Sequence, residues 1–250
     1  MVHRSYDPEL DVKLGVGTME IFWQGLVESL RLIKTGDPQV LDITWRTLKI
    51  SGLATLISVL IGVPLGTLLA LARFPGRRFL VSVVNFGMGL PPVVVGLAVW
   101  LTFTRYGPLG FLDMLYTPVA MVVAQAIIAS PIVAGFTVAA MQSLNPKIPL
   151  QILALGASRW QLLRLLVREA RLGLLAAVMA GFGGVISEVG ASMMVGGNIA
   201  GSTRVLTTAT VLAVGQGKYE LATALSIILL VLAYGITAFL TVAQQRSSHA

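Results

Sequence analysis

The sequence predicts an all-α protein, a polytopic bundle of about five transmembrane helices preceded by one amphipathic helix. Three observations carry this. Of 250 residues, 56% are hydrophobic and 12% are charged, about half the roughly 25% charged residues of a soluble domain. The uncharged runs Ile50 to Ala72, Phe79 to Thr104, Met114 to Pro146, Leu172 to Ser187 and Leu221 to Gln245 are on the scale of the ~20 residues a helix needs to cross hydrocarbon. The segments between them are short and rich in turn residues, with one exception.

Each run can satisfy its backbone hydrogen bonds within one helix, as the bilayer core requires. The predicted spans lie near 48–72, 80–104, 117–142, 172–196 and 220–243, inside a permease domain over 46–245 that follows an N-terminal region, 1–45, and precedes a short tail, 246–250. Residues 1–17 mix both charge signs and hold no apolar core of the kind a signal peptide needs. From Thr18 to Lys34, Ile21, Leu26, Leu30 and Ile33 alternate with Glu20, Glu28, Arg31 and Lys34, the pattern of a helix lying in the membrane interface. Gly36, Asp37, Pro38 and Asp42 mark the turn into the first span, RFPGRR (73–78) the next connection, and Gly107, Pro108 and Gly110 the third. Pro91, Pro92 and Pro131 are predicted to kink their helices.

The exception is the polar stretch from Ser143 to Arg171. Pro146 and Pro149 end the preceding helix, Gly156 permits a sharp turn, and Ser158 caps a new helix starting near Arg159. On that helix Arg164, Arg168 and Arg171 form one stripe, with Leu162, Leu163, Leu166 and Val167 on other faces. Read alone, the stripe suits lipid headgroups as well as a protein partner. Arg73, Arg77, Arg78, Lys147, Arg159, Arg164, Arg168, Arg171 and Arg246 share one side if the long loop, RFPGRR and the C-terminus do, against Arg46, Lys49, Arg105, Arg204 and Lys218 opposite. That surplus predicts a cytoplasmic loop and C-terminus with the N-terminus outside; counting the N-terminal region makes the two sides equal. A formal charge of +7 on so apolar a chain is read as orienting loops, not as a nucleic-acid surface.

The spelling of the loop adds to this. GASRWQLLRLL (156–166) resembles the coupling loop of ATP-binding-cassette importer permeases, with Gly156 at the family's glycine and Leu150, Gln151 and Ile152 in place of its Glu-Ala-Ala start. ISEVGASMMVGGNIAGSTRVLTTAT (186–210) resembles the matching segment of tungstate and molybdate importer permeases, closer to the tungstate branch, as does the Gly-Asp-Pro turn before the first span. The resemblance runs from about residue 18 onward and implies the type I importer permease fold.

The resemblance also implies a prokaryotic inner-membrane protein that moves an oxyanion, tungstate first and molybdate or sulfate as alternatives. It implies a homodimer, two cytoplasmic ATPase subunits holding ATP and Mg, and an extracytoplasmic binding protein. The chain itself needs no cofactor on this reading. Gln151, Leu153, Leu155, Gly156, Ala157, Ser158, Arg159 and Trp160 would dock in the ATPase; Ser187, Glu188, Asn198 and Arg204 would serve the pathway or gate. Glu188 is the one carboxylate well inside a predicted span, a position that suits packing or gate locking better than contact with a dianion. Arg204 offers forked donors to an oxyanion, and a contact at an interface or with the binding protein accounts for it equally well.

Other signals are weaker. GGNIAGST (196–203) has phosphate-loop glycine spacing, but Ser202 stands where the lysine belongs. The two histidines, His3 and His249, are terminal, there is no cysteine, and the scattered methionines read as adaptable filler. A secondary transporter or channel is the competing class; it calls for internal repeats or paired intramembrane charges, which the sequence does not display.

Overall fold

The computed structural model describes the backbone of residues 8–72 and 74–248, and the side chains of 19–72, 74–242, 244 and 245. His3, Arg73, His249 and the side chain of Arg246 lie outside the described residues. The helices are α1 (Pro8–Thr35), α2 (Pro38–Leu71), α3 (Arg77–Met88), α4 (Pro92–Phe103), α5 (Pro118–Gln142), α6 (Lys147–Ala154), α7 (Arg159–Glu169), α8 (Arg171–Ile186), α9 (Gly190–Gly196), α10 (Leu206–Gly215) and α11 (Tyr219–Ser248), with a 3-10 turn at Gly110–Leu112.

Three described helices, α2, α5 and α11, are long and apolar enough to cross a membrane alone, and the count reaches five if each sharply bent pair is one span. One pair is α3 with α4, bent by 98°; the other is α7 with α8, bent by 66°. The kinked span expected over 80–104 is therefore two separate helices. Pro91 and Pro92 have no N–H to continue the ladder, and α4 starts with Pro92 in its first turn, where a missing donor costs nothing. The helix expected over 172–196 also divides, α8 ending at Ile186 and α9 beginning at Gly190.

The first span begins earlier than expected because Asp37 accepts hydrogen bonds from the backbone of Gln39 and Val40, capping α2 with Pro38 at its start. Asp42 thus belongs to the helix, where it pairs with Arg46 one turn on. α1 packs against α11: Gly25 meets Thr223, and Ser29 is buried. The opposite face exposes Trp23, Val27 and Leu30. An amphipathic pattern shows that a stripe needs covering, not whether lipid or a helix covers it.

α5 is the pillar of the bundle. Ala120, Met121, Ala124, Ala129, Val133, Ala134 and Thr137 are fully buried along it. α2 runs parallel to it, with Ser58 donating to the Ala126 carbonyl, Gly62 against Val133, and Gly66 against Ala134 and Thr137. α8 returns antiparallel, Gly173 against Ala140 and Gly181 against Val133. Close approach of backbones through small residues drives helix association where lipid tails are as apolar as leucine.

A methyl group at Gly66 would lie 2.5 Å from the Ala134 carbonyl oxygen, whereas one at Gly52 would meet nothing within 4 Å. Gly66→Ala is accordingly expected to destabilise the purified protein by about 1–3 kcal/mol, the usual cost of overpacking, and Gly52→Ala to leave the midpoint of a thermal unfolding scan unchanged or raised.

Candidate functional site

Two regions gather the polar residues that the sequence singles out, one beyond the C-terminal end of α5 and one reaching from the middle of α5 to its start. The first is the elbow α6–α7, reached from the C-terminal end of α5. α6 stops at Leu155, and Gly156 takes a left-handed backbone (φ 81°) in which a side chain would be strained. α7 opens with a capping box: the Gln161 N–H donates to the Ser158 hydroxyl at 3.3 Å, and the Ser158 N–H donates to the Gln161 side-chain carbonyl at 2.8 Å. The start expected at Ser158 is thus present, with Gln161 as the reciprocal partner that sequence reading had not singled out.

The elbow shows apolar side chains to the outside. Leu155 is 87% exposed and Trp160 73%, with Leu150 and half of Leu153 also open; Gln151, Ser158 and Arg159 are exposed between them, while Ala157 is half-buried. No residue of α6 is buried. The root of the lever, by contrast, is fixed: Leu166 is 1% exposed, and Val167, Ala170 and Leu174 pack with Met141 of α5 and with Val63 and Ala70 of α2. Arg164 and Arg168 share the exposed face of α7, but Arg171 leaves the expected stripe because α7 ends at Glu169 and α8 turns away at 66°. A loop joining a surface helix to a span bends where its burial changes, and the charge spacing alone does not show it.

The second region surrounds the break between α8 and α9. The Ser187 hydroxyl donates back to the Gly183 carbonyl at 2.8 Å and is exposed. Glu188 is buried; its Oε1 accepts the Ala191 N–H at 2.8 Å, and its backbone carbonyl accepts from Thr207 at 3.2 Å. Its Oε1 thereby satisfies a donor freed at the start of α9. On the adjoining broken span, Val93 of α4 lies against Gly190, and Gly96 against Ala191. The two breaks are neighbours. Gln125 of α5 donates to Ser192 at 2.9 Å, tying α9 to the pillar.

Asn198 and Arg204 lie beyond α9, at the end of the bundle away from the elbow, since Gly196 sits against Met121 near the start of α5. The structure brings these two together: Arg204 Nε donates to the Asn198 side-chain oxygen at 3.3 Å and Nη2 to its backbone carbonyl at 3.2 Å. Arg46 donates to the Arg204 carbonyl and pairs with Asp42. Glu188 and Arg204 have separate partners and do not pair. Sequence reading missed Thr203, fully buried, which accepts the Ile199 N–H at 2.9 Å and donates to the Gly196 carbonyl at 2.5 Å. The glycine-rich GGNIAGST is thus a loop stitched by its threonine, and no phosphate is needed to account for its shape.

A membrane bundle of bent and broken helices with an exposed apolar elbow at one end is the architecture of an importer permease, and the chain belongs to the family of binding-protein-dependent transport system inner membrane components, whose model matches residues 62–249. Among individual relatives, it is 37% identical over 220 residues to the tungstate uptake system permease protein TupB of Peptoclostridium acidaminophilum, covering 88% of this chain and 96% of that one. It is 39% identical over 204 residues to a probable anion ABC transporter permease protein of Haloferax volcanii, covering 80% and 88%. Its fold is that of a chain of the MetNI methionine ABC transporter in an inward-facing conformation, with TM-score 0.69, 22% identity, and 84% and 96% of the two chains covered.

Thr203→Val keeps the shape and deletes both hydrogen bonds, leaving the carbonyl of buried Gly196 and the Ile199 N–H without their partner; a loss of about 1–3 kcal/mol is expected in denaturant or thermal unfolding. Glu188→Ala is expected to cost about 0.5–2 kcal/mol through its lost cap, whereas Glu188→Gln, which keeps an acceptor, should recover most of that stability.

Proposed function

We infer that this chain is the transmembrane permease subunit of an ATP-driven importer of tetrahedral oxyanions, with tungstate the foremost cargo. Two copies enclose the pathway, two separate cytoplasmic ATPase subunits bind ATP and Mg and perform the hydrolysis, and an extracytoplasmic binding protein delivers the anion. The elbow is cytoplasmic, with the C-terminus, and the N-terminus lies outside. The observation that carries this reading is the elbow: a glycine-hinged, doubly capped lever that presents Leu155 and Trp160 to water while its root is locked into α2, α5 and α8. Exposed apolar side chains in such an arrangement call for a protein partner.

Coupling then follows from rigid-body mechanics. Closure of the ATPase pair on ATP displaces the docked elbow; Leu166, Val167 and Ala170 transmit the displacement into the start of α8 and the ends of α2 and α5. α8 leads directly into the break at Ser187 to Val189, so movement of the lever changes how the α8–α9 and α3–α4 breaks meet. ATP drives the change only through its different contacts in the two states.

Trp160→Glu and Leu155→Arg are expected to abolish co-purification of the ATPase subunit while leaving membrane insertion and thermal stability intact. In the reconstituted complex with its binding protein, tungstate is expected to stimulate ATP turnover at lower concentration than molybdate or sulfate. Stimulation by sulfate alone would reassign the cargo, and an intact elbow that captures no ATPase would defeat the importer reading.

A further inference from the structure

The lipid-compatible faces of this bundle are apolar: α2 exposes Leu53, Leu56, Leu60 and Ile61, and α11 exposes Leu230, Val231 and Phe239. α3 differs. Val81, Val84, Gly87 and Met88 turn toward α5, while Arg78, Ser82, Asn85 and Gly89 are all exposed. These four are spaced by four, three and four residues, so they fall on one line along a helix of about 3.6 residues per turn. The line starts at the elbow end, where Arg77 donates to the Leu69 carbonyl at the close of α2, and ends at the α3–α4 break.

Depth decides what this line means. Gly87 lies against Pro131 and Met88 against Gly135, both well inside α5 (Pro118–Gln142), so Asn85 stands roughly 10–15 Å from the elbow end of that helix and roughly 20–25 Å from the other at about 1.5 Å per residue. It is too deep for the membrane surface. An exposed carboxamide at that depth facing hydrocarbon would leave two donors and an acceptor unsatisfied, each costing several kcal/mol. Polar side chains inside spans face the bundle interior or a water-filled cavity.

We propose that the Arg78–Ser82–Asn85 face of α3 lines the water-filled route by which the oxyanion leaves the α3–α4 and α8–α9 breaks toward the elbow end. The route is closed on its other side by a second copy of this chain. The donors suit the cargo: a guanidinium, a hydroxyl and an amide offer N–H and O–H groups to a tetrahedral dianion, and no carboxylate stands among them to repel it. Two neutral donors ahead of a single cation hold a passing anion without trapping it. The inference rests on the permease reading above.

The chain has no cysteine, which makes single-cysteine variants of the full complex clean probes. Ser82→Cys and Asn85→Cys in membrane vesicles are treated with the charged reagent sulfonatoethyl methanethiosulfonate, with Leu60→Cys and Leu230→Cys as lipid-facing controls. Because a thiol reacts as thiolate, which hydrocarbon does not sustain, residues 82 and 85 are expected to react at least about tenfold faster than the controls. Their rates are expected to change when the ATPases are trapped with ATP and vanadate, and modification at 85 should arrest anion-stimulated turnover. Rates equal to the leucine controls, rates indifferent to trapping, or full turnover after modification would each overturn the proposal. Tungstate-stimulated ATP turnover of the unmodified variants, measured in the same vesicles, tests the permease reading separately: a complex that turns over but whose cysteines stay inert refutes only the assignment of this face.

Discussion

A bilayer offers no water to an unpaired backbone group, and this constraint governs every departure from straight helices in the protein. Breaking a span frees donors and acceptors that the same chain must then fill. At the α8–α9 break, Glu188 supplies the acceptor for Ala191 and receives Thr207 on its own carbonyl. In the loop beyond, Thr203 serves Gly196 and Ile199 together, and Arg204 folds back on Asn198. At the α3–α4 break the prolines remove the donors instead of pairing them. The polar residues most suggestive of a binding site are thus first of all what makes the broken architecture possible.

The parts differ in how firmly they are held. α2, α5 and α8 approach closely at Gly62, Gly66, Gly173 and Gly181, so they behave as one block. α4 and α9 meet through Gly96 and Ala191 and share one apolar core with α2, α5 and α8, to which the Gln125–Ser192 bond adds a polar tie. The elbow touches the block only through its root. A push on the elbow is therefore delivered to the base of the bundle, while the paired breaks lie farther along it, beside the middle of α5.

Much of this was legible in the sequence. Long uncharged runs gave the membrane class and the limits of α5; Gly-Asp-Pro and Ser158 marked real helix starts; and the elbow stood out as the polar stretch among apolar ones. The interruptions were less legible, because an apolar run reads alike whether the helix within it is straight or broken. Pro91 and Pro92 signalled a kink but not a 98° turn. The break after Ile186 has no proline at all; it depends on Gly190 meeting Val93, a contact over nearly a hundred residues of sequence that no local pattern encodes. The pairing of Arg204 with Asn198 was not legible, because it goes with a left-handed backbone at Asn198, φ 51°. Asn85 passed unnoticed within an apolar run, since its meaning depends on which face of α3 the bundle leaves open.

The central claim is that this chain moves an oxyanion only when its elbow is driven by an ATPase. It is tested most directly by uptake of labelled tungstate into proteoliposomes that contain the permease with its ATPase subunits and the binding protein, with ATP on the ATPase side. Uptake that needs ATP, the binding protein and both subunits is the expected result. Tungstate flux through the permease alone, following its own gradient without ATP, would contradict the account and mark the chain as a channel or secondary transporter.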